Sequence, residues 1–387
     1  MIQWQAIKPK PDVHIRKAAL EKFLRRMPDR LDIRLKLAEQ HLYLGETEAA
    51  FDLLEASLPE TQNDPDWLAV FGKTLRALGR NELAQEYLLR AWKRGVTEAG
   101  LDLAKLLGGR DQCDDAISIC YSLLDRDSTN FAAAQMLCRN LIASGQWEKL
   151  EQWTSACLQN GQWNAVLPSA LAYTARGDEH NGLIRELVEV DQYPVCIQNF
   201  TGSATHDKLC ETLLNHKARS NFPTIYAGKG SGQRIDRISD IGIDPVTEIF
   251  ERIKIEVGNF GQLLADNVAP PAVSNIPENA TIESWGNICV DDGHEDWHCH
   301  PAGWLSGVYY LDVPELSDKP DLAGQIEFGP LMLDTDNTLD TWPKKRIRPE
   351  ADMLLLFPSY FGHRTYPTGS NYPRISIAFD IVPNSNG

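Results

Sequence analysis

No stretch of this 387-residue chain approaches the ~18 consecutive apolar residues a membrane-spanning helix requires, so no transmembrane helix is expected. Paired thiols are missing as well. The eight cysteines are scattered from Cys113 to Cys299 without a CxxC pair, and they read as reduced. The N-terminus lacks the basic-then-apolar order of an export signal, and the expected location is cytoplasmic. Positive charge is scarce: 38 Lys+Arg face 54 Asp+Glu, and a net charge of −16 repels polyphosphate backbones and weighs against a nucleic-acid partner. The glycine-rich run Gly228-Lys-Gly-Ser-Gly-Gln233 has neither GxxxxGK[ST] spacing nor a following apolar helix, so it is no phosphate cradle. It reads as a mobile loop, with a role as a lid left open.

What is present is an ordinary globular composition, 43% hydrophobic and 24% charged, in a chain long enough for two or three cores at ~100–200 residues each. The first half repeats. Turn glycines at Gly45, Gly79, Gly145 and Gly177, with a missing member near Asp111, are separated by steps of 34, 32, 34 and 32 residues. Eight residues before the first four turns lie Leu37, Phe71, Leu103 and Leu137, each followed by a small residue (Ala38, Gly72, Ala104, Cys138) that lets two helices approach closely. Five after come Ala50, Ala84, Ala116 and Leu150, and nine after come Leu54, Leu88, Cys120 and Thr154. Two apolar stripes per repeat at helical spacing predict a stack of antiparallel helix pairs. Trp67, Tyr87, Trp92, Trp147 and Trp153 read as packing between helices.

After about Val190 the period is lost. Prolines cluster, Asp244 to Ala265 reads as a helix bracing a sheet, and short strands are expected at 281–290, 305–313, 324–328, 353–357 and 374–382. Strands of that length closing a chain point to a β-sandwich or barrel. The basic run Lys344-Lys-Arg-Ile-Arg348 reads as a solvated turn, and Trp297 and Trp304 as structural filling.

The chemistry concentrates here. Of nine histidines, four lie between His294 and His363. On an extended segment residues i and i+2 point to one side, so His298 and His300 can present two imidazoles to one ion, and His363, at the end of the turn-like run 358–363, can supply a third. Imidazoles suit Fe(II), and a three-ligand face leaves positions open for a chelating co-substrate and O₂. Arg374, eleven residues after His363, opens a strand and can clamp a carboxylate with two parallel hydrogen bonds. Tyr309 and Tyr310 alternate faces, so one of them points into the pocket.

The 34-residue beat resembles the tetratricopeptide repeat over roughly residues 15–190, well in the first two units and degenerately in the later ones, the fifth being 164–190. The segment His298-Cys-His300-Pro301 followed by Ser306-Gly-Val-Tyr-Tyr-Leu311, with His363 and Arg374-x-Ser376, resembles a bacterial group of 2-oxoglutarate and Fe(II)-dependent dioxygenases. Together these imply an α+β multidomain chain. An N-terminal segment (1–14) would lead into an all-α repeat solenoid (15–190), followed by a double-stranded β-helix, or jelly-roll, domain (191–387). The resemblance implies Fe(II) on His298, His300 and His363, with 2-oxoglutarate on Arg374, Ser376, Asn287 and Tyr310. The family's usual first motif is His-x-Asp/Glu, and this chain has His300 in the carboxylate position. Three arrangements stay open: His300 as third ligand, a water there with His300 behind it, or the pair His294/Asp296. The implied activity is hydroxylation of a protein or peptide side chain docked by the solenoid. The alternatives are hydroxylation of an amino acid or natural product, a metalloenzyme that does not use 2-oxoglutarate, and an interaction protein with an inactive barrel.

Overall fold

The computed structural model describes residues 2–5, 13–61, 63–110, 112–162, 164–174, 190–201, 203–217, 219–222, 227–266, 276–329, 331, 333 and 344–384. It divides into two compact units, one of Lys10–Val166 with Pro223–Ile225, the other of Met1–Pro9, Leu167–Phe222 and Tyr226–Gly387.

The first unit is the helical repeat. Helix α1 (Val13–Arg26) precedes α2 (Leu31–Tyr43) and α3 (Thr47–Glu55); then a short α4 (Leu58–Thr61) leads to α5 (Pro65–Ala77), α6 (Asn81–Lys93), α7 (Thr97–Gly108), α8 (Cys113–Arg126), α9 (Phe131–Ala143) and α10 (Trp147–Gln159). The turns fall where the glycines predict. Gly79, at φ +72°, ends α5: its N–H donates to Arg76 and that of Arg80 to Leu75, which satisfies two terminal carbonyls through a left-handed residue that only glycine adopts without strain. Every apolar position read from the repeat is buried, among them Leu37, Phe71, Leu103, Leu137, Leu54 and Leu88. At Gly72 a Cβ would stand 2.8 Å from Leu88 Cγ, so the absent side chain is what lets α5 and α6 close.

The second unit begins at Leu167, earlier than the 190 boundary read from the sequence. Helix α11 (Leu167–Thr174), expected to open a fifth repeat, bonds instead to its own unit: Ser169 Oγ accepts from the Leu331 N–H at 2.7 Å and Tyr173 Oη from that of Leu333 at 3.1 Å. Gly177 lies outside the described residues. Helices α12 (Ser203–Leu214) and α13 (Asp244–Asp266) follow. Along α13, Val246, Ile249, Phe250, Ile253 and Val257 form the buried stripe, whereas Ile255 falls off it and is 63% exposed.

The strands are β1 (Gln3–Trp4), β2 (Val195–Ile197), β3 (Ser220–Asn221), β4 (Gly228–Lys229), β5 (Gly232–Asp236), β6 (Asn279–Cys289), β7 (His294–Glu295), β8 (Leu305–Asp312), β9 (Ile326–Gly329), β10 (Lys345–Ile347), β11 (Met353–Pro358), β12 (Gly362–Thr365) and β13 (Arg374–Pro383). The large sheet runs β2-β11-β8-β13-β6-β5-β3, and β1, from the segment expected merely to precede the repeats, pairs in parallel with β6. Among the described residues a smaller antiparallel sheet, β10-β9-β12, and the pair β4-β7 accompany it, and the sheets form a jelly-roll. The five expected strands all form. Three segments expected as turns or loops are strands instead. Lys345–Ile347 is β10, held by Arg346 on Glu327; Gly228 and Lys229 pair with Glu295 and His294; and His363 sits within β12, opposite Phe328. The glycines at 228 and 232 lie against a ring: an added Cβ would stand 2.5 Å and 1.9 Å from atoms of Phe222.

Candidate metal and co-substrate site

Strand β13 runs between β8 and β6, and its register fixes what shares a face. Ser376 is opposite both Asn287 on β6 and Tyr310 on β8; two residues along, Ala378 is opposite Trp285 and Val308; two residues back, Arg374 is opposite Cys289. With a side-chain period of two, these positions form one patch of the large sheet. His363 comes from the smaller sheet. It bridges to His298, which follows β7, and all seven residues singled out in the sequence (Asn287, His298, His300, Tyr310, His363, Arg374, Ser376) line one cavity.

The three histidines converge. Their candidate ligand atoms lie within 4.8 Å of one another, and the ring centroids are 4.2 Å (His298–His363), 5.0 Å (His300–His363) and 5.2 Å (His298–His300) apart. Each ring has its Nδ1 against a protein acceptor: His298 on the Asp296 carbonyl at 2.7 Å, His363 on the Phe361 carbonyl at 3.0 Å, and His300 on Asp380 Oδ1 at 2.6 Å. An Nδ1–H so engaged fixes the tautomer and leaves Nε2 with its lone pair free. Burial lowers the pKa of His298, and lowers that of His363 well below the ordinary value, where the neighbouring imidazoles add to the effect. For His300 burial acts in the same sense, but the charge and hydrogen bond of Asp380 outweigh it and the pKa is raised.

His294 and Asp296 are placed differently. His294 Nδ1 donates to the Asp292 carbonyl, Asp296 is 58% exposed, and neither lines the cavity.

At the far side Arg374 is 4% exposed. Its guanidinium donates to the Gly324 carbonyl (3.2 Å), the Tyr366 carbonyl (3.4 Å) and Thr365 Oγ1 (3.2 Å), all neutral, and among the described residues it has no carboxylate partner. A buried guanidinium bonded only to neutral acceptors suits an anionic ligand. Two polar atoms in the same wall lack partners: Asn287 Oδ1 and Trp285 Nε1 are buried without a hydrogen bond. Buried polar groups are ordinarily satisfied, so these orphans mark where a polar ligand would sit. Imidazole nitrogens for a borderline metal and a guanidinium with an amide for a carboxylate fit Fe(II) and 2-oxoglutarate together.

Comparison with known proteins agrees. Residues 283–380 match the family described as "Putative 2OG-Fe(II) oxygenase". The C-terminal unit carries a 2OG-Fe(II) oxygenase domain. The chain is thus a 2-oxoglutarate-dependent dioxygenase that uses Fe(II), joined in one chain to a unit of repeated helix pairs. No curated protein matches it. Among solved structures, a Pseudomonas putida prolyl-4-hydroxylase is similar at 14% identity and a TM-score of 0.36, over 51% of this chain and 98% of that one. Pseudomonas aeruginosa pilF is similar at 18% and 0.38, over 44% and 79%. The epimerase SnoN from nogalamycin biosynthesis is similar at 13% and 0.35, over 49% and 76%.

Sequence reading missed Glu295, Trp285, Arg234 and Asp380 as neighbours of the oxygenase site. Glu295 and Trp285 also line the cavity, and Arg234 stacks on Trp285 at 4.5 Å. Trp285 was legible in principle, lying two residues before Asn287 and therefore on the same strand face. Asp380 was legible likewise, as the fourth member of the alternating series Arg374, Ser376, Ala378, Asp380.

Proposed function

We propose that His298, His300 and His363 hold Fe(II), that Arg374, Ser376, Asn287 and Tyr310 hold 2-oxoglutarate, and that the enzyme hydroxylates a side chain of a protein or peptide bound by the repeat unit. The observation that carries the site is the pairing of three imidazoles, each anchored through Nδ1, with a buried guanidinium bonded only to neutral acceptors, in one cavity. When bound, the metal and co-substrate supply the oxidising chemistry: a C–H bond, O₂ and 2-oxoglutarate become C–OH, succinate and CO₂.

The protein's own part is positioning and exclusion. Arg374 grips the distal carboxylate through two N–H groups, its fork already held by three neutral acceptors, so little freedom is lost on binding. Ser376 and Tyr310, opposite each other across β13 and β8, bring two hydroxyls to the same wall, and Asn287 adds an amide that can turn either end to the ligand. Val308, Ile326, Phe357 and Ala378 close the remainder with apolar surface, which keeps bulk water from a reactive centre.

The polypeptide substrate rests on the architecture: a solenoid of helix pairs offers a concave surface suited to an extended chain, and here it is covalently joined to the oxygenase. The thiols support a cytoplasmic setting, since no disulfide joins any two of the eight cysteines. The direct test is anaerobic titration of the purified protein with Fe(II) and 2-oxoglutarate. A visible charge-transfer band saturating at one equivalent is expected, with succinate formed once O₂ is admitted. Absence of both would return the barrel to a binding role. For the substrate, a peptide library should give peptide-dependent succinate that a chain lacking residues 13–159 does not.

A further inference from the structure

Three histidines bring no negative charge to a dication, and the structure puts one carboxylate directly behind them. Asp380, with a side chain 13% exposed, accepts from His300 Nδ1 and from Ser306 Oγ, both at 2.6 Å. Ser306 is also within hydrogen-bond distance of Ser359 Oγ at 2.8 Å, and the His300 backbone N–H donates to the Ser359 carbonyl at 2.8 Å. The ring, the carboxylate and two hydroxyls therefore form one closed network. Gly303 permits it: a Cβ there would stand 2.4 Å from Ser359 Oγ and 3.5 Å from Asp380 Cβ. The other two imidazoles differ, because His298 and His363 donate to backbone carbonyls, which carry no net charge.

This asymmetry has a chemical consequence. An imidazole whose N–H is held by a carboxylate is the more basic at its other nitrogen, and such partners orient the ring as well. We propose that Asp380 is a positioning residue for the iron: it fixes His300 with Nε2 toward the other two rings and makes His300 the strongest donor of the three, so that anionic charge reaches the metal through a hydrogen bond to one of its ligands. The inference rests on the assignment of the three histidines to Fe(II).

The test uses the full-length protein under anaerobic conditions and reads Fe(II) affinity by competition with a chromogenic chelator, together with the energy of the Fe(II)–2-oxoglutarate band. D380N keeps the shape and an acceptor and removes the charge. It should weaken Fe(II) by roughly 10–100-fold, as loss of an outer partner typically does, and move the band to higher energy, with the melting temperature of the metal-free protein unchanged. In an H300A background D380N should add nothing, because its effect passes through that ring. Unchanged affinity and band energy in D380N, or an equal loss in both backgrounds, would overturn the proposal. Should D380N fail to fold, S306A removes one bond that holds the carboxylate and must shift affinity and band in the same direction by less; no shift there overturns it too. If the wild-type protein binds no iron, the histidine assignment fails at an earlier step, an outcome distinct from failure of D380N alone.

Discussion

His298 and His363 exchange both backbone hydrogen bonds, N–H to carbonyl at 3.0 and 2.9 Å, and this single antiparallel bridge holds their rings 4.2 Å apart. Two stretches separated by 65 positions in sequence are thereby locked in register at the point where their imidazoles meet. Replacing either ring with alanine should weaken Fe(II) by more than the ~10–100-fold typical of an outer-shell change. His294→Ala and Asp296→Ala should leave it unaltered, since those side chains do not line the cavity. Anaerobic iron titration of the four variants separates the two motifs, and loss of binding in the second pair would reinstate His294/Asp296.

Arg374 makes a prediction of a different kind, because it lies across the cavity from the metal face. Arg374→Ala should raise the KM for 2-oxoglutarate by a factor of roughly 10 to 150, the equivalent of about 1.5–3 kcal/mol for hydrogen bonds to a charged group, while the affinity for Fe(II) alone stays the same. Arg374→Lys keeps the charge without the planar fork and should fall between. Steady-state kinetics at saturating iron distinguish this from a general loss of structure, which would lower both.

The repeat unit was the most legible part of the chain, for a physical reason. Each helix pair must bury the same positions against its neighbours, so Leu37, Phe71, Leu103 and Leu137 repeat with the turns, and all are buried. The long strands β6, β8 and β13 were legible by length and β-branched content, and the site by the type of residue they carry. Apart from β9, what sequence could not give were the strands of two to four residues. Within Gly362–Thr365 no alternation has room to appear, and only pairing with β9 makes His363 a strand residue. The Asp380–His300 bond joins residues 80 apart, and nothing local signals it.

Close packing in the repeats predicts a stability effect at Gly72. A Cβ would meet Leu88 Cγ at 2.8 Å and the Leu88 backbone nitrogen at 3.1 Å, so a larger side chain must push the whole helix α6. Gly72→Val should destabilise the repeat unit by about 1–3 kcal/mol, the usual cost of overpacking. Thermal denaturation followed by circular dichroism should show an earlier helical transition, with the Fe(II)–2-oxoglutarate band retained below it. A variant as stable as the wild type would mean that α5 and α6 do not close as tightly as described.

Glu327 on β9 predicts the response to acid. Its side chain is fully buried and lies between Arg346 on β10 (2.6 Å) and Arg364 on β12 (2.7 Å), with the Tyr366 hydroxyl donating at 2.9 Å. Burial alone would raise its pKa, but Tyr366 and the two arginines more than offset that, and the carboxyl sits below the ordinary value of 4.5. A depressed pKa in the folded state means that the unfolded chain takes up the proton more readily. The resulting stability is therefore fully present above about pH 4.5 and lost as pH falls through the lower folded value. Because both arginines are partly solvated, the contribution is modest, and Glu327→Gln should cost about 1–3 kcal/mol at neutral pH. The melting temperature of the wild type should drop more steeply below pH 4.5 than that of E327Q, so the two converge as the medium becomes acidic. Parallel curves through that range would show that the β9–β10–β12 sheet does not depend on the ionised carboxylate.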